Sequence, residues 1–313
     1  MPQQSSDLIL MIRPASFRMN EETAVNNGYQ QEWTDTSSPL DLAREEFNGV
    51  VDALRSCDIE VAVYEDEPES DTPDALFPNN WVSFHADGRV GLYPMFAVNR
   101  RRERREVLVH RLASDYGREV DTLVDFTEFE AHNVFLEGTG SLILDRINRV
   151  AYASIGPRTD LHAAEHFCDT FDYELEAFTA NQTTGDTLAP IYHTNVMLAL
   201  GTDWAVVCDD IVTDPEEKAQ LTERLRQGGR TLIHITAEQV NGFAGNVLEV
   251  QNKRGEKFIA MSSAAYHAFN SEQRASLSAH AQLIHAPIPT IERCGGGSVR
   301  CMMAEVFLPS QSH

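Results

Sequence analysis

The feature that most narrows the fold is a hidden period. Short apolar stretches led by a small polar residue recur at Asn80-Trp81-Val82-Ser83-Phe84, Asn133-Val134-Phe135-Leu136, Asn195-Val196-Met197-Leu198 and Asn246-Val247-Leu248-Glu249-Val250. Ser298-Val299-Arg300-Cys301-Met302 is a fifth. The steps are roughly 50 to 60 residues, near the unit size of radial repeat architectures. The segments downstream of the anchors are alike. After Asn80 come a turn at Asp87-Gly88, a strand, a helix from about Asn99 to Tyr116 and a strand from about Glu119 to Val124. After Asn133 come strands at Ser141–Leu144 and Val150–Ile155, a helix at about Asp160–Phe171 and a strand near Tyr173–Phe178. After Asn195, Asp214-Pro215-Glu216 reads as a helix start, with a cap residue, proline and acids in the first turn. The unit after Asn246 ends in a helix near Ser271 and a strand at Gln282–His285.

Four units thus read as strand–strand–helix–strand. The fifth stops at Arg300 to Leu308, and its missing parts stand at the N-terminus: strand Leu8–Ile12, helix Ser38–Ser56, strand Glu60–Tyr64. The expectation is an α/β fold, a five-bladed pseudosymmetric propeller closed by pairing of N- and C-terminal segments, which leaves no open edge between first and last units. One domain would span residues 1–313, its last blade shared between about 1–70 and 290–313. The competing reading is a generic α/β domain with coincidental motifs.

Charge excludes several classes of partner. A net charge of -23 repels phosphate backbones and anionic membranes, so nucleic acid and membrane are not expected partners. The basic cluster Arg100 to Arg105 falls in the expected helix and reads as a solvated face. Five cysteines without a CxxC pair argue against a disulfide framework and against zinc, and no metal or cofactor is expected. No apolar run is long enough to span a membrane. A reducing cytoplasm fits these features. Residues 13–36 lack periodicity, and a loop of that length suggests a lid over the central opening. A homo-oligomer is left open.

Polar residues at the anchors would converge on the axis, where a small ligand should sit. They are Asn79, Asn80, His132, Glu137, His193, Asn195, Asn246, Ser298 and Cys301. Gly295-Gly296-Gly297 ahead of Cys301 suggests a tight loop presenting a thiol from a strand. A Cys/His pair with a carboxylate orienting the imidazole is a general nucleophilic arrangement. Cys301, His193 and Glu137 form one such set, although the residues alone do not choose His193 over His132 or His85. A buried core thiol is the bland alternative.

These residues resemble a known family. Gly295-Gly296-Gly297-Ser298-Val299-Arg300-Cys301, His193-Thr194-Asn195, Leu136-Glu137-Gly138-Thr139-Gly140 and Phe77-Pro78-Asn79-Asn80-Trp81 are similar to motifs of the guanidino-group-modifying superfamily, the pentein fold. The segment Phe77 to Trp81 looks most like its citrulline-utilisation hydrolase branch. The resemblance implies that Cys301 is the nucleophile, His193 the general acid/base and Glu137 its orienting carboxylate. Ile155-Gly156-Pro157-Arg158-Thr159 resembles an element that binds the amino-acid carboxylate, which implies that role for Arg158. Deiminases of the superfamily hold the cationic guanidinium with two aspartates. Here amides stand at Asn79, Asn80 and Asn195, with Asn246 beside them. An amide both donates and accepts, which suits a neutral ureido group.

The expected activity is therefore a cysteine-dependent hydrolase of the ureido or guanidino group of citrulline or arginine, releasing ammonia and proceeding to ornithine through a covalent thio-adduct. An arginine deiminase and an arginine amidinotransferase are the alternatives. A ligand-binding ring with Cys301 a spectator is the non-enzymatic one.

Overall fold

A computed structural model describes residues 3–184 and 187–311. The ends of the expected 1–313 domain lie outside the described residues.

Five three-stranded sheets share one pairing scheme among the described residues. In each, the first strand runs antiparallel to the second, and the second runs parallel to the third across a helix. The first four sheets are Val82–Phe84, Arg89–Leu92 and Thr122–Asp125; Leu142–Asp145, Val150–Ser154 and Glu174–Phe178; Leu198–Leu200, Trp204–Val207 and Thr231–His234; and Leu248–Gln251, Lys257–Ser262 and Gln282–Ala286. The fifth joins the two ends of the chain. Ala304–Glu305 pairs antiparallel with Leu8–Arg13 in the register Ile9 to Glu305, and Leu8–Arg13 pairs parallel with Glu60–Glu65. A small hairpin of Asn181–Thr184 with Thr187–Pro190 lies outside the repeat and is not expected from the sequence pattern.

Local chemistry explains the scheme. A parallel pair needs a long crossover, and an amphipathic helix supplies it here. Helix Pro215–Gln227 starts where Asp214 accepts from the backbone N–H groups of Glu216 and Glu217. Helix Ser271–Ser278 starts with a reciprocal Asn270–Gln273 box, and Ser38 caps Pro39–Arg55. Each such cap is worth about 1 kcal/mol. Second strands such as Val150–Ser154 and Trp204–Val207 are predominantly apolar and wholly buried, as sandwiched strands must be. Third strands are more exposed and close each sheet outward.

The first strands lie against one another: Ala304–Glu305 on Val82–Phe84, and Leu198–Leu200 on both Leu142–Asp145 and Leu248–Gln251. Their N-terminal starts are tight turns, Pro78–Asn80, Gly138–Ser141, Thr194–Val196 and Val299–Met302. Pro78–Asn80 touches both Gly138–Ser141 and Val299–Met302, and Gly138–Ser141 touches Thr194–Val196. Polar residues distant in sequence are thereby gathered at one end of the first strands.

Three expectations need correction. Asn133 does not start a strand: it sits in the left-handed region at φ 55 after the turn Thr127–His132, and it is exposed. The matching turn of that unit is Gly138–Ser141. The helix placed at Asn99–Tyr116 splits into a 3-10 turn, Asn99–Glu103, and a helix, Glu106–Asp115. The strand placed at Arg300–Leu308 shrinks to Ala304–Glu305, because Val299–Met302 turns instead. Among the described residues no helix is long and apolar enough to cross a membrane.

Candidate active site

Cys301 lies on the turn Val299–Met302 rather than on a strand, and it is 3% exposed. Its sulfur accepts from two side-chain amides, Asn246 Nδ2 at 3.2 Å and Asn195 Nδ2 at 3.4 Å. Asn246 is itself fixed, since its Oδ1 accepts from the Arg300 backbone N–H and its Nδ2 also donates to the Asn195 carbonyl. N–H donors aimed at sulfur are the partners a thiolate accepts from.

The three glycines upstream are required by close approach. Gly296 ends helix Pro289–Gly295 at φ +63, the left-handed region in which L side chains are strained. A Cβ there would meet Asn27 Nδ2 at 2.6 Å and Gln30 Cγ at 2.7 Å. A Cβ on Gly295 or Gly297 would press on the Phe77 ring. The glycines thus end a helix, and the loop presents a turn.

His193 precedes the turn Thr194–Val196 in extended backbone, with its Nε2 2.8 Å from Glu137 Oε2. Glu137 is fully buried. Its Oε1 accepts from the Phe96 N–H at 3.0 Å, and its Oε2 lies 3.6 Å from Arg158 Nη1 and 3.7 Å from Arg100 Nη1. Burial alone would raise its pKa, but Arg158, His193 and Arg100 outweigh burial and hold the carboxyl well below the usual range. For His193 burial is the largest influence and lowers the pKa; Glu137 opposes it, Arg158 and Arg100 add to it, and the ring is pushed down to about 4. Near neutral pH the imidazole is therefore neutral. An ionised Glu137 accepts the Nε2 proton, which leaves Nδ1 as the ring's acceptor. Gly140 makes room for this edge, since a Cβ there would stand 2.9 Å from His193 Nδ1 and 2.5 Å from Asn80 Nδ2.

Cys301, His193, Asn80 and Arg158 line one cavity with an empty volume of about 260 Å³. Glu137 stands behind His193, and Asn195 and Asn246 stand behind the sulfur. Asn79 does not line the cavity. Its Oδ1 accepts from Asn80 Nδ2 at 3.3 Å, and its backbone carbonyl lies where any side chain on Gly138 would fall. His132 is exposed and away from this cavity. His85 is buried at the opposite end of Val82–Phe84, bonded to Ser83 and stacked on Phe171. Of these three histidines, His193 is the one that lines the cavity.

Arg100 overturns the solvated-face reading of the basic cluster. It is 2% exposed and lines the cavity. It donates to Asn80 Oδ1 at 2.8 Å and to both carboxylate oxygens of Glu103 at 2.9 Å. Anchoring Arg100 inward is what interrupts the expected helix. Arg100 occupies Asn80 Oδ1 and Asn79 takes one of its amide hydrogens, which leaves Asn80 one amide N–H for a ligand. Asp74 is the other residue missed in sequence. Its Oδ2 accepts from Asn20 Nδ2 and Thr23 Oγ1, while its Oδ1 is buried at the cavity without a partner.

Within residues 13–36, where a lid is expected, Asn27 and Gln30 line the cavity. Asn20 caps the short helix Glu21–Ala24. Gln30 Nε2 donates to the Gly295 carbonyl at 3.0 Å, Asn27 Nδ2 to Gly296 at 3.4 Å, and the Gln31 N–H to Arg293 at 2.7 Å. Arg158 donates upward to Asn26 Oδ1 and to the Thr23 carbonyl, both at 2.9 Å. Its fork is thus divided between Glu137 and this strap. Among the described residues no group of three or more His, Cys, Asp or Glu could hold a metal ion.

The chain also has relatives. Residues 13–308 match the model of a family described as N,N dimethylarginine dimethylhydrolase, eukaryotic. No curated protein matches. Among solved structures, apo ArgZ, an arginine dihydrolase from the ornithine-ammonia cycle in cyanobacteria, superposes with a TM-score of 0.74 at 18% identity. That match covers 96% of this chain and 41% of ArgZ, so the chain spans less than half of its relative's length. The N-terminal domain of ArgZ, as a cysteine-to-serine variant bound to substrate, matches with a TM-score of 0.74 at 17% identity over 96% of this chain and 98% of that one. A dimethylarginine dimethylaminohydrolase adduct with S-methyl-L-thiocitrulline matches with a TM-score of 0.62 at 15% identity, covering 97% and 99%. At such identities the likeness to solved structures is one of fold.

Proposed function

The chain belongs to the N,N-dimethylarginine dimethylhydrolase family, within the pentein guanidino-modifying superfamily, and from that premise we propose that it is a cysteine-dependent hydrolase of arginine or citrulline that proceeds to ornithine. The observation that carries the reading is one cavity in which the Cys301 sulfur, held by two amides, shares the space with an imidazole paired to a buried carboxylate. We read the five like sheets as the five blades of a single catalytic domain closed between the chain ends. The unpaired state of all five cysteines supports a reducing, cytoplasmic setting.

In this mechanism neutral His193 takes the Cys301 thiol proton, and the thiolate attacks the central guanidino or ureido carbon. The imidazolium then protonates the departing nitrogen, so the C–N bond breaks and the covalent thio-adduct is left. His193 next removes a proton from water, which attacks the adduct carbon and releases the thiolate. Glu137 stays ionised throughout and steadies the imidazolium. Each positioned proton transfer is worth about 10²–10⁴-fold. Asp74 Oδ1, buried without a donor, is placed to take the α-ammonium of an amino acid. Arg158 takes its carboxylate, which replaces the Asn26 oxygen when the strap lifts.

The amide at Asn80 bears on how far the reaction goes. A deiminated product carries a ureido oxygen, an acceptor. Asn80, its own oxygen spent on Arg100, supplies the N–H that this acceptor requires. A carboxylate there would repel it. The product of a first hydrolysis is accordingly kept for a second.

Mass spectrometry of the purified chain incubated separately with arginine and citrulline tests the reading. Ornithine is expected from citrulline, and Cys301→Ala should yield none while keeping its fold. Full turnover by Cys301→Ala overturns the covalent mechanism. Citrulline accumulating from arginine overturns the second hydrolysis.

A further inference from the structure

We propose a second binding site at the opposite end of the first strands, where Arg146 receives a carboxylate or phosphate group of a small molecule. The catalytic turns precede these strands. His85, Arg146 and Phe307 follow Val82–Phe84, Leu142–Asp145 and Ala304–Glu305, and they line a separate cleft, open to solvent, of about 930 Å³.

Arg146 is only 7% exposed, yet it has no carboxylate within ion-pair distance among the described residues. Its guanidinium lies 3.9 Å over the Phe307 ring, and it donates from Nη1 to the Phe84 carbonyl at 3.5 Å, a long contact. A buried cation so poorly partnered is costly unless an anion joins it. The neighbouring arginines are already committed. Arg89 pairs with Asp87 and Asp172, and Arg149 donates to the Phe171 and Asp172 carbonyls at the end of helix Leu161–Phe171.

A second observation points to a ligand. Tyr173 lines this cleft, and its hydroxyl is buried without a hydrogen-bond partner. In the proposed site it is the second donor, complementing the Arg146 fork, whose planar geometry matches a carboxylate or phosphate. Three arginines face two carboxylates, Asp87 and Asp172, across the cleft, an excess of one positive charge on a chain of net charge -23. The field is felt locally: burial first, then Arg146, Arg89 and Arg149, hold the His85 imidazole well below its ordinary pKa, so His85 stays neutral and adds no competing cation. Phe307 and Tyr173 provide apolar walls for the body that carries the anion.

The test is thermal unfolding of the whole chain at constant ionic strength, with sodium chloride exchanged for sodium phosphate or for sodium acetate. A saturable rise in melting temperature above the chloride reference is expected, and the anion that gives it names the group recognised. Arg146→Gln should abolish the rise. Tyr173→Phe should raise the half-saturating concentration by about tenfold, the worth of one hydrogen bond to a charged group. No rise with either anion, or a full rise retained in Arg146→Gln, overturns the proposal. Should Arg146→Gln fail to fold, Tyr173→Phe decides, and an unchanged half-saturation overturns it.

Discussion

Replacing Glu137 by Gln removes one charge and keeps the shape, so the consequences can be worked from the contacts. The substituted amide would still accept from the Phe96 N–H, and its volume would leave the Gly138–Ser141 turn in place. Two cations, Arg100 and Arg158, lose a partner, but unequally. Arg100 retains Glu103 at 2.9 Å and Asp74 at 3.8 Å. Arg158 keeps only Asn26 and Thr23, which are neutral. Breaking a buried ion pair costs about 3–5 kcal/mol when a bare charge remains, and the surviving partners argue for the lower end. At about 2.1 cal/mol/K per residue a 313-residue chain shifts by roughly 1.5 °C per kcal/mol, so the melting temperature should fall by roughly 4–5 °C. The catalytic effect is separate. The imidazolium formed during turnover loses its counter-charge, and kcat should fall by about 10²–10⁴-fold, or roughly 3–5 kcal/mol of barrier. Steady-state kinetics and calorimetry on one preparation separate the two. A folded Glu137→Gln enzyme within threefold of the parent kcat would refute the assignment of Glu137 as the partner of a charged His193.

Two further outcomes rest on the same geometry. His193 titrates at about 4, below its ordinary 6.5, so the working neutral ring persists to low pH; the acid limb of kcat/KM should fall near pH 4, and a limb near 6.5 would contradict the burial argument. The stability sign for His193 is opposite to that of a paired histidine: its folded pKa lies below its unfolded value, so the unfolded chain takes up the proton first and the native state loses stability as pH falls from about 6.5 to about 4, while the stability from Glu137 is present above about 4.5 and is lost as pH falls below it. Gly296→Ala places a Cβ at φ +63 against Asn27 and Gln30; about 1–3 kcal/mol of strain should loosen the strap, read as faster hydrogen exchange over residues 20–31 with a raised KM, and unchanged exchange there would count against its seating on the glycine loop.

Much of the fold could be read because it repeats. Once one strand–strand–helix–strand unit is recognised, caps such as Asp214-Pro215 and Asn270 with Gln273 place the others. The second unit misled because its turn is Gly138-Thr139-Gly140-Ser141, where backbone rather than a polar anchor faces the neighbours, and Asn133 merely imitates the pattern. Cys301, His193 and Glu137 sit in motifs, and their gathering in one place was legible. Arg100 and Asp74 were not. An arginine inside a basic run looks solvated until the fold brings Asn80 and Asp74 to it, and the accompanying acid, Glu103, reads equally well as a surface i,i+3 partner. Asn79 errs in the other direction: its place in the motif is right, but the turn directs it away from the cavity and onto Asn80.

The pairing of Ile9 with Glu305 also bears on how the molecule is made. A ribosome must deliver Glu305 before the strand at Ile9 meets this partner, and contacts this distant in sequence are the slow ones to close. The turn that carries Cys301 lies immediately before that final strand. The seating of that turn is therefore tied to the pairing that completes the fifth sheet.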